Sequence, residues 1–233
     1  MFGVTNDFMD LDKDLGLFEP FGNPKGFIKK DAAETTYRTK SSESFMGLQF
    51  LNKYLKSYRC FIAGGCFKNI FTSQKFKDID MFFFDEAAFN EVDLLIKADS
   101  DYTLRYENDK VIAYNHKDND VVLELIRSTF GFYEEVMNRF DWTITKFAYY
   151  KIANGETDQY QTVYHKDFFE HLLQHRLVAD NILPYPVSSF ERALRYKGYG
   201  YSMCRETKVK LIQAIKDSQL DEDLSASLYD GVD

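Results

Sequence analysis

The sequence predicts an α+β protein, with a mixed β-sheet flanked by helices and a small helical module after it. Three observations carry that expectation. Short apolar runs bounded by turn residues alternate with stretches of helical period, a strand–turn–strand pattern surrounds Asn108-Asp109, and from about Tyr164 the period turns helical. Residues 1–43 read as irregular, with Pro20, Pro24 and four glycines (Gly3, Gly16, Gly22, Gly26). A helix capped by Ser44 is expected next, because Phe45, Leu48, Leu51, Tyr54, Leu55 and Tyr58 recur at helical spacing. "CFIA" (60–63) reads as a short buried strand, followed by Gly64-Gly65 and a short helix over 67–71. "IDMFFF" (79–84) is a second buried strand, "EAAFNEVDLLIKA" (86–98) a helix, 102–116 a hairpin and "VVLELIR" (121–127) a further strand. The expected organisation is an irregular segment 1–43, a main domain 44–158, a helical module 159–216 and an acidic tail 217–233.

Composition excludes several classes. The 233 residues suffice for a substantial core, rich in aromatics (22 Phe, 16 Tyr, 1 Trp). No apolar run approaches the roughly 20 residues of a membrane span, and the first residues are acidic where a secretory signal would be basic. A cytoplasmic location is the expectation. Cys60, Cys66 and Cys204 form no CxxC pair and no His lies at zinc-ligand spacing, so reduced thiols are expected and zinc is not. The net charge of −8 is uneven: residues 1–19 hold five acids and one Lys, and 217–233 hold six acids and no base. Between Arg192 and Lys216 seven bases face the single acid Glu206. Such a segment reads either as a solvated helix face or as a phosphate-backbone surface carried by Arg192, Lys197, Arg205, Lys208 and Lys210.

The chemistry concentrates in "FIAGGCFKNIFTSQKFKDIDMFFF" (61–84). Residues two apart on a strand point to one face, so Asp78 and Asp80 project together. Two carboxylates so placed repel one another unless a cation lies between them. Mg²⁺ suits oxygen ligands and brings phosphates with it. A third carboxylate on a neighbouring strand would complete a two-metal clamp, and Glu124, among the apolar residues of "VVLELIR", suits that role. Gly64-Gly65 lets the backbone approach a phosphate closely, beside a helix start with free N–H groups, and Lys68 stands one turn further on.

The run "IAGGCFKNIFTSQKFKDIDMFF" resembles the signature of the DNA polymerase β-like nucleotidyltransferase superfamily. Within it, the likeness is closest to the head domain of bacterial poly(A) polymerases and class II CCA-adding tRNA nucleotidyltransferases. It rests on Gly64, Gly65, Lys68, Asn69, Asp78 and Asp80, continues through Glu124 and Arg127 in "LELIR", and extends to Arg139, Asp141, Thr143, Ile144 and Ala148 in "NRFDWTITKFAYY". The resemblance implies a nucleotidyltransferase fold that moves a nucleoside monophosphate from an NTP such as ATP to an acceptor hydroxyl. Asp78 and Asp80 would hold two Mg²⁺ ions, with Glu124 or Asp141 as the third acid and Glu124 preferred. Gly64, Gly65 and Lys68 would cradle the triphosphate, and Arg127 and Asp141 would lie near its sugar or phosphates. The preferred acceptor is an RNA 3′ end, that of a tRNA included. The alternatives are a small molecule or protein acceptor, or an inactive NTP- or RNA-binding module.

The chain departs from that family in three places. Lys68 and Asn69 replace its usual Arg and Asp. In "FERALRY" (190–196), Glu191 and Arg195 match a block that reads the incoming base, but Arg192 stands where the family has Asp. A donor there replaces an acceptor, so the family's selection of C and A does not transfer. The roughly 75 residues after 158 are also too few for full neck, body and tail domains. Cys66 reads as packing or as a thiol activated by the helix start. Trp142 reads as core or as a base-stacking ring, and "RYKGYGYSM" (195–203) as a structural turn or a nucleotide-contacting loop.

Overall fold

The computed structural model describes residues 36–55, 59–152, 158–179 and 183–218. The rest of the segment 1–43 and of the acidic tail lies outside these residues. Alternating apolar side chains build an eight-stranded sheet from β1 (Tyr37–Ser42), β2 (Cys60–Ala63), β3 (Asp78–Phe83), β4 (Tyr102–Glu107), β5 (Val111–His116), β6 (Val122–Phe130), β7 (Phe147–Ile152) and β8 (Gln159–His165). The strand order is β1-β8-β7-β2-β3-β6-β5-β4, and the sheet is mixed because β3 and β6 run parallel while the other neighbours are antiparallel. β1 and β8 flank the expected interval 44–158 and pair with each other, so the sheet draws on chain from both sides of it.

The crossover from β3 to β6 carries α2 (Glu86–Ala98) and the β4–β5 hairpin. Asp85 caps α2 by accepting the Ala88 N–H at 2.7 Å, and Ala88, Phe89, Val92 and Ile96 bury one stripe of it against the sheet. Phe89 meets Phe83 edge-on at 5.2 Å. The hairpin turn follows from Asn108, whose Oδ1 accepts the N–H groups of Lys110 and Val111 at 2.8 and 3.0 Å. This sheet face joins Ile62, Ile79, Met81, Phe83, Leu123, Leu125 and Tyr149 in the main core. The opposite face packs Phe61, Ala63, Phe82, Ala148 and Tyr150 on Val136 and Met137 of α3 (Tyr133–Met137). Period-two alternation thus separates two cores.

Two expected elements take a different form. The helix from Ser44 is a 3₁₀ helix over Met46–Leu51, entered from an extended Phe45. Ser44 Oγ accepts from the Asn52 side chain at 2.6 Å rather than capping the backbone, and Gly47 weakens any longer helix. The C-terminal segment is not wholly helical either. Between α4 (Phe168–Leu173), α5 (Pro186–Gly198) and α6 (Arg205–Asp217), the two-residue strands β9 (Arg176–Leu177) and β10 (Ser202–Met203) pair in parallel. Among the described residues no helix is long and apolar enough to cross a membrane.

Candidate active site

The site begins where β2 stops. Gly64 has φ +104°, a conformation that L side chains rarely adopt, and a Cβ there would stand 3.1 Å from Asp80 Oδ2. Its N–H donates to the Phe147 carbonyl at 3.2 Å, and at Gly65 the same Cβ position lies 3.6 Å from the Tyr196 hydroxyl. The short helix α1 (Cys66–Phe71) then leaves the turn. Strand register places Asp80 opposite Ala63 of β2 on one side and opposite Glu124 of β6 on the other. Asp78 lies two residues earlier on the same face, towards solvent. Burial pushes the Asp80 carboxyl well up, and the negative charges of Glu124 and Asp78 push it in the same direction. Tyr106 donates its hydroxyl to Glu124 Oε1 at 2.6 Å. Among the described residues no group of three His, Cys, Asp or Glu side chains converges closely enough to hold a metal, so the trio is joined by register. The donor set nevertheless fits a hard cation: adjacent carboxylates, one of them pushed up by its neighbours, beside a turn that admits only glycine.

Asp80 and the two glycines form one end of a cleft of about 940 Å³, which is also lined by Ser128, Thr129, Arg139, Trp142, Arg192 and Tyr196. Its second carboxylate, Asp141, is buried, accepts the Ser189 hydroxyl at 2.9 Å and pairs with Arg192 Nε at 2.8 Å. Burial raises the Asp141 carboxyl, while Arg192, Ser189 and Lys146 pull it back down. Ser189, Arg192 and Tyr196 stand at i, i+3 and i+7 of α5, which turns that stripe to the cleft. A second depression, of about 500 Å³ beside Lys53, Tyr54 and Asp99, has its polar groups paired with one another: Asp99 takes both the Lys53 ammonium and the Tyr54 hydroxyl.

With this geometry the comparisons with known proteins can be read. A family model described as Gabija anti-defense 2 family protein (Gad2) matches residues 33–175, more than half of the chain. The chain belongs to the Gad2 family. No curated protein matches it by sequence. Solved structures share the fold. A CCA-adding enzyme in complex with CTP superposes with TM-score 0.59 at 14% identity, over 77% of this chain and 45% of the other. The Thermotoga maritima CCA-adding enzyme complexed with tRNA superposes with TM-score 0.57 at 14% identity, over 81% and 48%. A tRNA nucleotidyltransferase with primer tRNA and an incoming ATP analog gives TM-score 0.50 at 21% identity, over 70% and 48%. The match thus spans just under half the length of these chains, and this Gad2-family chain has a nucleotidyltransferase-like fold.

Gly64, Gly65, Asp80, Asp141 and Arg192 meet at the one cleft. Other expected site residues lie elsewhere. Arg127 reaches Glu107 Oε1 at 3.1 Å and the Asn108 carbonyl, because β6 bulges where the Arg127 and Ser128 N–H groups both donate to the Lys110 carbonyl. Ser128 and Thr129 line the cleft beyond that bulge. The Lys68 ammonium bonds Asn69 Oδ1 and lies 5.8, 5.3 and 5.7 Å from the rings of Tyr196, Tyr199 and Tyr201, so the 195–203 segment closes around Lys68. Burial lowers its pKa. Glu191 and Arg195 are exposed on α5, outside the cleft lining. Lys197, Arg205, Lys208 and Lys210 are exposed, and Lys210 reaches the Ala179 carbonyl at 3.2 Å and Glu206 at 3.4 Å. Cys66 is buried and its thiol is pushed up, first by burial and then by Asp80 and Asp78, which makes it packing. Sequence reasoning missed Ser128, Thr129 and Ser189, and held Tyr196 only within the 195–203 segment read as a turn or a nucleotide-contacting loop. The i, i+3, i+7 stripe on α5 was the available signal for Ser189 and Tyr196.

Proposed function

We propose that the cleft transfers a nucleoside monophosphate from an NTP to an acceptor hydroxyl with release of pyrophosphate. The observation that carries this is the register of Asp80 beside Glu124, at the mouth of β3 and against the Gly64 turn. Asp78, Asp80 and Glu124 would hold Mg²⁺, which supplies charge neutralisation at the reacting phosphate and acidifies the acceptor hydroxyl. The residues of the chain do the rest. The Gly64-Gly65 turn keeps side chains out of the space beside Asp80, where a phosphate would have to approach. Arg139, exposed on the cleft wall, balances the charge of the polyphosphate. Tyr106 orients the Glu124 carboxylate by its hydrogen bond, and the Asp141–Arg192 pair holds α5 against the other wall.

The preferred acceptor is an RNA 3′ end. The solved structures of this fold are described as complexes with CTP, with tRNA and with an ATP analog, and Lys197, Arg205 and Lys208 offer an exposed basic surface. A protein acceptor is the second reading. It is favoured by the anti-defense description of the family and by the net charge of −8, which opposes a polyanion. The test is incubation with Mg²⁺ and each α-labelled NTP, in the presence of total RNA or of Gabija proteins, beside an Asp80→Ala control. Label in RNA that the variant loses supports the first reading, and label in the Gabija protein fraction the second. No transfer to either overturns the enzymatic proposal.

A further inference from the structure

We infer that Arg192, anchored by Asp141, reads the base of the nucleotide in the cleft and selects an edge with two adjacent acceptors. Guanine (N7 and O6) and cytosine (O2 and N3) present such an edge; adenine and uracil do not. The inference rests on the proposal that the cleft holds an NTP, and it names which ones.

The anchor comes first. Arg192 Nε stands 2.8 Å from Asp141 Oδ2 as an ion pair that lacks hydrogen-bond alignment, and Oδ1 accepts the Ser189 hydroxyl at 2.9 Å. Each Asp141 oxygen thus has one partner in the protein, and the carboxylate holds the guanidinium beside it. The guanidinium it holds carries five N–H donors and no acceptor. Nε faces Asp141, and the two terminal nitrogens have no partner among the described residues, while the side chain keeps 37% of its exposure on a cleft wall. A planar donor pair held at a buried carboxylate is a rigid fork, unlike the flexible point charge of a lysine.

Its position suits a base rather than a phosphate. Tyr196 marks the glycine end, where its hydroxyl lies 3.6 Å from the Cβ position at Gly65. Arg192 lies four residues earlier on α5, a displacement of about 6 Å along the axis. A triphosphate beside Asp80 and the glycines would leave its sugar and base to reach that far. Trp142 supplies a second, independent sign that a polar ligand fills the cleft. It lines the cleft and is 1% exposed, yet its Nε1 has no hydrogen-bond partner among the described residues.

An Arg fork makes two parallel bonds only where two acceptors are neighbours. Adenine places its single amino group between N7 and N1, and uracil places an N–H between its carbonyls, so each offers the fork one acceptor at best.

The test uses the full chain with Mg²⁺ and follows the fluorescence of the single tryptophan, Trp142, during titration with ATP, GTP, CTP and UTP. GTP, CTP or both should bind about tenfold or more tighter than ATP and UTP. 7-Deaza-GTP, which lacks the N7 acceptor, separates the two sources. If guanine is read at N7 and O6 it should fall to the level of ATP; if cytosine alone is read, GTP itself should bind no better than ATP. Arg192→Lys keeps a positive charge beside Asp141 and removes the fork, so its preference among the four should flatten. Equal binding of all four by the wild-type chain overturns the inference while the nucleotide proposal stands. A uniform weakening in Arg192→Lys, with the preference intact, overturns it too, since Arg192 would then contact phosphate. No binding of any nucleotide overturns both. The 7-deaza comparison needs no variant and is unaffected by any folding defect.

Discussion

Two carboxylates at the ends of one cleft differ in a single respect. Asp80 has negative neighbours, Glu124 and Asp78, and burial, their charges and the Glu124 contact all act upwards on its carboxyl. Asp141 is buried too, yet Arg192, Ser189 and Lys146 oppose the effect of burial. Asp141 therefore has a positive partner that pulls its carboxyl back down, whereas none of the effects on the Asp80 carboxyl does so. An uncompensated pair of acids is a stored electrostatic tension, relieved only by a proton or by a cation from outside. A compensated acid is scaffold, and what it holds rigid is the guanidinium.

The largest effect that would break this contrast is expected at Asp80. Asp80→Asn should lower nucleotidyl transfer by about 10²-fold or more, measured as label transferred per unit time. It should nonetheless raise the thermal midpoint at neutral pH. The sign follows from linkage: the folded-state pKa of this carboxyl lies above its unfolded value, so the folded protein binds the extra proton and loses stability as pH rises between the two. Wild-type melting temperature should gain on acidification through that window relative to the Asn variant. Mg²⁺ should raise the wild-type midpoint and leave the variant unmoved. A variant less stable than wild type at pH 7 would show that Asp80 is compensated after all.

Asp141→Asn should act in the opposite direction. Removing the anion beside Arg192 should destabilise the fold by about 1–3 kcal/mol, less than for a fully buried pair because the guanidinium keeps solvent access, as read by urea unfolding. Stabilisation here would erase the distinction between the two ends. The smallest effect is expected at Lys68, which lies behind the glycine turn among three tyrosines. Lys68→Met should cost about 1 kcal/mol, the scale of its cation–π contacts, with NTP affinity nearly unchanged. A large loss of affinity would instead mean that the ammonium leaves Asn69 and the rings to meet the phosphates.

Much of the arrangement around Asp80 was legible beforehand. Asp78, Asp80, Gly64 and Gly65 lie within 17 consecutive residues, and the local rules that order them, strand alternation and a turn that excludes side chains, act over a few positions. Glu124 was legible too, because an acid in an apolar run demands an explanation, and β3–β6 register places it opposite Asp80. The far wall was not. Glu191 and Arg195 were expected to read the base, but α5 turns Ser189, Arg192 and Tyr196 inward. Which stripe of a polar helix faces a cleft depends on what packs behind it. Arg127 pairs with Glu107 instead of lining the cleft for a related reason: a bulge in β6 changes which side chains face it, and no residue type announces a bulge.

By itself, the sequence determined the strands β2 to β6, the glycine turn and the acids at the mouth of β3, because these follow from short-range sterics and the alternation of apolar residues. Only the tertiary structure decided that Asp141 and Arg192, 51 positions apart, would pair beside the cleft, and that Glu124 and Asp78 would act on Asp80. Charge compensation depends on distance through space, and that distance is set by how α5 docks beside the sheet.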